Sequence, residues 1–460
     1  MTLDAPIAIA ALDGRTVRVD DLPAMLHIVT DTRTLRPGDT FLALCGERFD
    51  GQAFLPQAFA AGAAACIVRD AAALPDDRPG IVVGDTLAAY MTLARLARSR
   101  IASRVAAISG SAGKTTTKAF LLQLLRAAGA RATATPENEN NEIGVSKFFL
   151  GLEESDTRIA IVELGARKHR DLDPLVEIAK PEVAILTNIG EAHLEIFGSR
   201  ERLAETKWGL FASGARAVLN IADAPSRMRA STLSLPPLWF GTGDVAPPHG
   251  EPGIIVRDAA RMLVHDGTHR SEFPIDAGSV PGEHNRANIA AAVGGAVALG
   301  FAPEMLAPHI AALRLPSGRY QAVALAGDMR LIYDAYNANV SGMLATLVAF
   351  AHENATRRIA VLGSMAELGS DAPAMHRQVG AAAVLAADVL LAGGDFAREI
   401  ERGAHDAGMR AADVVTFGEN AEAIAWLRAN ARAGDVLLLK GSRKYRMEEI
   451  AVALGAELHA

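Results

Sequence analysis

Cysteine is nearly absent: Cys45 and Cys66 are the only two in 460 residues. Two thiols cannot make a disulfide framework or a cysteine-rich zinc site, so a reducing, cytoplasmic setting is expected. Aromatic residues are sparse, at 5%, which suits Ala-rich helices packed closely on Val/Ile strands. No charge of one sign dominates: 53 acids against 46 bases leave −7 on a long chain. That balance gives no support to nucleic acid or an anionic membrane as the main partner. A long apolar run is missing too. The most apolar stretch, Ile289 to Ala302, has about 14 residues, fewer than the ~20 a bilayer requires, so a buried helix is expected and no membrane span. The N-terminal MTLDAPIAIAALDG carries Asp4 and no basic region, so no signal peptide is expected.

What is present is apolar and patterned. Half the residues are hydrophobic and 22% charged, enough to build several cores, and the length predicts two to four domains. Short apolar runs alternate with helix-length amphipathic segments, the pattern of parallel βαβ architecture. One series starts with a strand at Arg104–Ser109 and a helix from Lys114, then continues through Arg158–Leu164, Val183–Asn188 and Ala217–Asn220. Pro236 to Asp276 reads as an antiparallel excursion, and a helix over Asn285–Leu299 closes the unit. LPSGR (315–319) punctuates the chain as a hinge. Beyond it, strands at Gln321–Ala326, Arg330–Ala335, Arg358–Gly363, Val389–Gly393, Val414–Gly418 and Asp435–Gly441 predict a six-stranded doubly wound domain. The expected organisation is an α/β chain of three domains, 1–84, 85–315 and 316–460, the first with strands near Thr40–Cys45 and Ala65–Val68 around an Ala-rich helix.

The strongest local signal is ISGSAGKTTTKAF (108–120), an apolar strand entering a Gly-rich turn and then a helix. Such a turn aims backbone N–H groups and a helix N-terminus at one point, where a phosphate chain is stabilised. Gly110, Ser111, Ala112, Gly113, Lys114, Thr115 and Thr116 would form this site, with Lys114 on the terminal phosphates and the Thr115 hydroxyl on magnesium. The match is to the short GxxGKT form only, because Ile108 stands where a full Walker loop has its first glycine. The competing reading is an ordinary capped helix. Glu163, His193 and Lys207 stand near strand ends as candidate metal partners. A carboxylate and an imidazole can bind a divalent cation, but an unmodified lysine ammonium has no lone pair to offer. Taken singly, each is more often an ordinary surface or packed residue.

Ordered motifs change that reading. GSAGKTTT (110–117), TPENENNEIGV (135–145), ELG (163–165), TNIGEAHLEIFGS (187–199), PGEHNRANIAAA (281–292), SGR (317–319), DAYNAN (334–339), VLGSMAELG (361–369) and LLLKGSRKYRME (437–448) follow one another along the chain. Their order resembles that of the Mur ligases, and TDTRTLRPGDTFLALCGERFDGQAF (30–54) resembles that family's UDP-sugar-binding segment. The resemblance implies a small N-terminal α/β domain, a central P-loop parallel-sheet ATPase domain and a C-terminal Rossmann-like domain. It implies ATP-dependent amide formation: a carboxylate is phosphorylated by ATP to an acyl phosphate, and an amine displaces the phosphate. Bringing a carboxylate to an anionic triphosphate demands positioning and cations.

Roles then follow from the resemblance residue by residue. Lys114, Glu163, His193 and Lys207 would be catalytic, with Thr115, Glu163, His193 and Lys207 serving two magnesium sites. Lys207 matches a lysine that the family carbamylates, which turns it into an anion able to meet a cation. Asn285 would contact adenine, and Arg319 and Asp334 would reach triphosphate and ribose. Asp31, Arg33, Arg48, Phe49 and Asp50 would contact the UDP-linked substrate. Asn138, Asn140, Asn141, Tyr336, Asn337, Asn339, Lys440, Ser442 and Arg443 would touch the substrates being joined. The pattern lies nearest the members that add D-alanyl-D-alanine to UDP-N-acetylmuramoyl tripeptide. A monomer acting on small molecules is expected. The alternative is a paralogue joining another amino acid or peptide, because Arg167, Lys168, Glu137 and Ser364 depart from the family pattern. A non-ligase nucleotide-gated module is disfavoured, since it needs the loop but not the other positions.

Overall fold

The structure, a computed structural model, describes residues 1–46, 49–136, 139–153, 157–190 and 197–458. His193, Arg48, Asn138 and Glu137 lie outside the described residues. The chain gathers into two compact units, one of Met1–Ala107, Ala130–Ala166 and Asp171–Glu182, the other of Ile108–Gly129, Arg167–Arg170 and Val183–Ala460.

In the first unit a five-stranded sheet runs Arg15–Val17, Gly80–Val82, Ala65–Val68, Thr40–Leu42, Ile28–Val29, parallel except for its first strand. Ala65–Val68 is buried at every position, as an apolar run covered on both faces must be. The helix beside it is shorter than the Ala-rich composition suggests: Leu55–Ala60 ends before Gly62, which takes φ +95°. Thr86–Ser99 starts where the Asp85 carboxylate accepts the amides of Leu87 and Ala88. It packs on the helices Glu142–Gly151 and Leu172–Ala179 of the same unit.

The longest sheet has nine strands in the order Ala132–Ala134, Ile159–Glu163, Arg104–Ser109, Val183–Leu186, Arg216–Asn220, Leu238–Thr242, Gly253–Val256, Arg261–His265, Arg270–Pro274. The 236–276 segment was expected to be antiparallel throughout, and this needs correction. Leu238–Thr242 and Gly253–Val256 continue the parallel order, and antiparallel pairing begins only at Arg261. The stretch between the first two strands is long enough to cross over, whereas Arg257–Ala260 leaves room only for a tight reversal. The helix Glu283–Ala298 is the small-residue helix foreseen, pressed so close that a Cβ on Gly295 would stand 2.4 Å from Ile185 Cδ1.

The C-terminal sheet has six strands in the order Gln321–Leu325, Met329–Tyr333, Asp435–Lys440, Arg357–Gly363, Val389–Gly393, Val414–Phe417. All but the first are parallel, with apolar clusters on both faces. The chain moves outward from Arg357–Gly363 on one side and returns as Asp435–Lys440 on the other. That makes a topological switch point, where sheets of this kind bind ligands outside the carboxyl ends of the strands. Among the described residues, no helix is long and apolar enough to cross a membrane.

Candidate active site

The loop Gly110–Gly113 leads from the strand Arg104–Ser109 into the helix Lys114–Ala127. Glycine is required at both ends of the turn. Gly110 takes φ +146°, and a Cβ there would fall 1.9 Å from Thr187 Oγ1; Gly113 takes φ +81°, and its Cβ would fall 2.4 Å from Asn288 Oδ1. Gly113 is the N-cap and no side chain caps the helix, so its first amides and its dipole are suited to an anion. The amides of Ser111 and Ala112 differ from expectation. Both donate to Asn188 Oδ1 at 3.0 Å, because the strand-end segment Thr187–Gly190 backs the loop. Thr187 Oγ1 donates to Ala112 O at 2.6 Å, and the Gly190 amide donates to Ser111 Oγ at 3.0 Å. That segment is itself held by Asn220, which donates to Thr187 O, and by Asp223, which accepts from the Ile189 amide. Asn188 stood in a quoted motif without a role; its side-chain amide was the available signal.

Two lysines meet at this loop. Lys114 Nζ donates to Gly110 O at 2.8 Å, and Lys207 Nζ donates to the same oxygen at 3.4 Å. Lys207 is only 2% exposed, on the helix Arg200–Trp208. Thr115 is buried in the first turn of the loop's helix. Asn285 is buried, its amide donating to Pro281 O at 2.8 Å and its carbonyl accepting weakly from Asn288. Beside it, burial holds His284 down to about 4, well below an ordinary imidazole, so the ring is neutral at neutral pH.

Asp334 and Lys440, both expected to reach ligands, pair with each other. Lys440 Nζ lies 2.6 Å from Asp334 Oδ2, and the carboxylate also accepts from Thr346 Oγ1 at 2.5 Å and the Tyr320 amide at 3.3 Å. Both side chains are almost fully buried. Asn339 caps the helix Val340–Ala351 by accepting the Gly342 amide, and its Nδ2 reaches Ser111 O of the Gly110–Gly113 loop at 3.3 Å. Asn337 Oδ1 accepts from the Ala338 amide and, at 3.5 Å, from Ser442 Oγ. The Tyr336 ring carries two guanidinium groups, Arg319 at 4.3 Å and Arg443 at 5.6 Å from its centre. Ser364 is buried and saturated, donating to Gly393 O and accepting from the Phe396 amide, both at 2.9 Å. Arg167 and Lys168 are exposed.

Within the first unit, Glu163 ends its strand with its carboxylate 2% exposed and accepting from Asn140 Nδ2 at 3.0 Å. Asn141 is the N-cap of Glu142–Gly151. Asp31 pairs with Arg33, whose guanidinium holds its carboxyl at about 2. Phe49 is exposed and stacks on Phe54 at 5.7 Å. Asp50 caps Gly51–Phe54 and accepts the Cys45 thiol at 3.1 Å. Hydroxyl and carboxylate oxygens such as those of Thr115 and Glu163 are the hard donors magnesium prefers. Among the described residues, no group of three or more His, Cys, Asp or Glu side chains gathers around one point.

Comparison with known proteins bears on this geometry. The Mur ligase family catalytic domain matches residues 25–107, the Mur ligase middle domain 108–296, and the Mur ligase glutamate ligase domain 318–443. The chain is a Mur ligase. The UDP-N-acetylmuramoyl-tripeptide–D-alanyl-D-alanine ligase of Synechocystis sp. is 34% identical to this Mur ligase, over 94% of the chain and 92% of the relative. Its Escherichia coli counterpart is 33% identical over 93% of each. A MurF crystal structure from Acinetobacter baumannii superposes with TM-score 0.87 at 29% identity, covering 99% of both chains. The MurF ligase of Thermotoga maritima, solved with ADP, gives 0.79 at 26% identity over 93% of this chain and 96% of that one. This Mur ligase therefore has the three-domain α/β architecture of the family and is an ATP-dependent ligase using magnesium.

Proposed function

We propose that this ligase joins D-alanyl-D-alanine to UDP-N-acetylmuramoyl tripeptide in the cytoplasm, with residues 1–84 holding the UDP-linked acid, 85–315 the ATP and 316–460 the incoming amine. The observation that carries the site reading is the meeting of Lys114 and Lys207 on Gly110 O. Lys114 beside an uncapped helix N-terminus makes a positive point suited to a triphosphate, and Lys207 stands close enough to act at the same place. The substrate carboxylate attacks the γ-phosphorus and ADP leaves. The amine then attacks the acyl carbon, loses a proton and expels phosphate, giving the amide. Lys114 and the helix amides orient the phosphates, and magnesium, when bound, neutralises charge between the reacting anions. Phosphate release is measured with ATP, magnesium and UDP-N-acetylmuramoyl tripeptide, with and without the dipeptide, and the product is weighed by mass spectrometry. Release and ligation only with both substrates support the reading; ligation of a different amine alone would establish a paralogue.

Lys207 is carbamylated in the working enzyme. Its near-complete burial beside Lys114 favours a change from ammonium to carbamate, which removes a repulsion between like charges and creates an oxygen donor for a cation. Lys207→Ala is expected to lose activity and regain part of it with added formate or acetate. Full activity of the alanine variant without additive would refute the modification.

A further inference from the structure

Four consecutive basic residues, Arg167, Lys168, His169 and Arg170, stand exposed between the strand Ile159–Glu163 and the helix Leu172–Ala179. A run of charge on a surface usually serves only solvation, but two features set this one apart. The first is its backbone. Arg170 takes φ +60°, a left-handed conformation in which a side chain is crowded and glycine is the ordinary choice. The position therefore keeps a cation at a cost in stability, and such outliers gather where a side chain serves a function.

The second feature is anchorage. The Arg170 amide donates to Thr206 Oγ1 at 3.2 Å, and His169 Nδ1 lies 3.3 Å from the same oxygen. Thr206 is 2% exposed and gives its single proton to Arg202 O at 2.8 Å, so it accepts both bonds and the His169 ring carries a proton on Nδ1. Next along that helix comes Lys207, whose Nζ reaches Gly110 O at 3.4 Å. The basic run is thus fastened one residue away from a lysine of the reaction centre. Arg202 lies one helical turn before Thr206 and is exposed, which adds a cation on the same side. The acids close by in sequence are Asp171 and Asp173, at the start of a helix whose N-terminal amides favour carboxylates, Glu201, which pairs with Arg229, and Glu205.

We propose that Arg167, Lys168 and Arg170 select the acid to be activated, favouring a UDP-linked tripeptide whose third residue carries a carboxylate on its side chain, as 2,6-diaminopimelate does, over one that ends in lysine. This rests on the reading of the chain as a tripeptide ligase. In that reaction the carboxylate activated beside Lys207 belongs to the third residue, so the side chain of that residue enters next to it. Lysine brings an ammonium alone toward a basic surface and is repelled; an added carboxylate is attracted and can accept from a guanidinium fork.

The test measures ligation of D-alanyl-D-alanine by the full-length enzyme with the two tripeptides, one ending in 2,6-diaminopimelate and one in lysine. Wild type should prefer the first by about 10-fold in kcat/KM, the low end for a hydrogen bond to a charged group, with the difference mainly in KM. Added salt should shrink that ratio, because exposed charges are screened. In Arg170→Gly and in the double variant Arg167→Gln with Lys168→Gln, the ratio should fall toward one, whereas Arg170→Lys should keep most of it. Arg170→Gly should also hold or raise the urea midpoint, since glycine fits the left-handed backbone; a lost preference is then not a sign of damage to the fold. A wild-type ratio of one or below, a ratio indifferent to salt, or a ratio retained in both charge-removing variants overturns the proposal. Equal use of the two tripeptides removes this selection and leaves the ligase reading standing; ligation of neither removes both.

Discussion

Asp334 and Lys440 show how a residue's role depends on its partner. Each lies at the C-terminal end of a strand, where a polar side chain in an open α/β sheet commonly meets a ligand. The two strands are neighbours, and in the folded chain the carboxylate takes the ammonium, the Thr346 hydroxyl and the Tyr320 amide. Removing one member leaves the other charge buried and uncompensated, which costs about 3–5 kcal/mol. Asp334→Ala should therefore lower the denaturation midpoint far more than an exposed-site substitution, and Asp334→Ala with Lys440→Met should recover part of the loss. Equal stability of wild type and Asp334→Ala in a urea titration would remove this structural role. The same distinction applies to Ser364. Read along the chain, Ser364 is a departure from the family pattern that suggests another substrate; in the fold, its hydroxyl is fully used between Gly393 O and the Phe396 amide.

At the scale of elements, the strand–loop–helix around Gly110–Gly113 was the most legible part of the molecule. An apolar strand, a glycine-bounded turn and a helix beginning with Lys-Thr are a local pattern, and local geometry follows from local sequence. What lay beyond it was the support. Asn188, Thr187 and Asn288 brace the loop from segments 70 or more residues away in sequence. Their side chains hold it in the conformation that glycine permits. Gly113→Ala combines a positive φ with a Cβ 2.4 Å from Asn288 Oδ1. It is expected to abolish measurable ADP binding in calorimetry. Unchanged ADP affinity would mean the turn can relax without distorting the site. The 236–276 segment gives the opposite lesson. Its Pro and Gly content marked breaks correctly, but composition cannot say whether the chain crosses over or turns back, because that depends on which edge of the sheet is free.

For the whole molecule, Asn339 connects the C-terminal region to the Gly110–Gly113 loop, the proposed nucleotide site. Its Oδ1 caps Val340–Ala351 while its Nδ2 donates to Ser111 O. Asn339→Asp keeps a capping oxygen and loses the donor, so stability should be little changed while the KM for ATP rises several-fold. Asn339→Ala should lose the cap as well, at about 1 kcal/mol of stability. If Asn339→Asp leaves the KM for ATP as in wild type, the contact does not couple this region to the nucleotide. The near-neutral composition gains meaning at this scale. A surplus of seven acids over the chain is no obstacle to binding polyanions when Lys114 stands at an uncapped helix N-terminus and Arg319 and Arg443 share one ring.

The sequence alone determined the α/β class, the loop that precedes Lys114 and the family, because these are carried by short-range periodicity and by motifs in a set order. The tertiary structure decided which charged groups pair with one another inside the protein. Lys440 and Asp334 are 106 residues apart in the chain and 2.6 Å apart in space. Arg443, close to Lys440 in sequence, lies over an aromatic ring and pairs with no acid among the described residues. Local spacing does not encode that difference: it arises when distant strands become neighbours and each buried charge must find a partner.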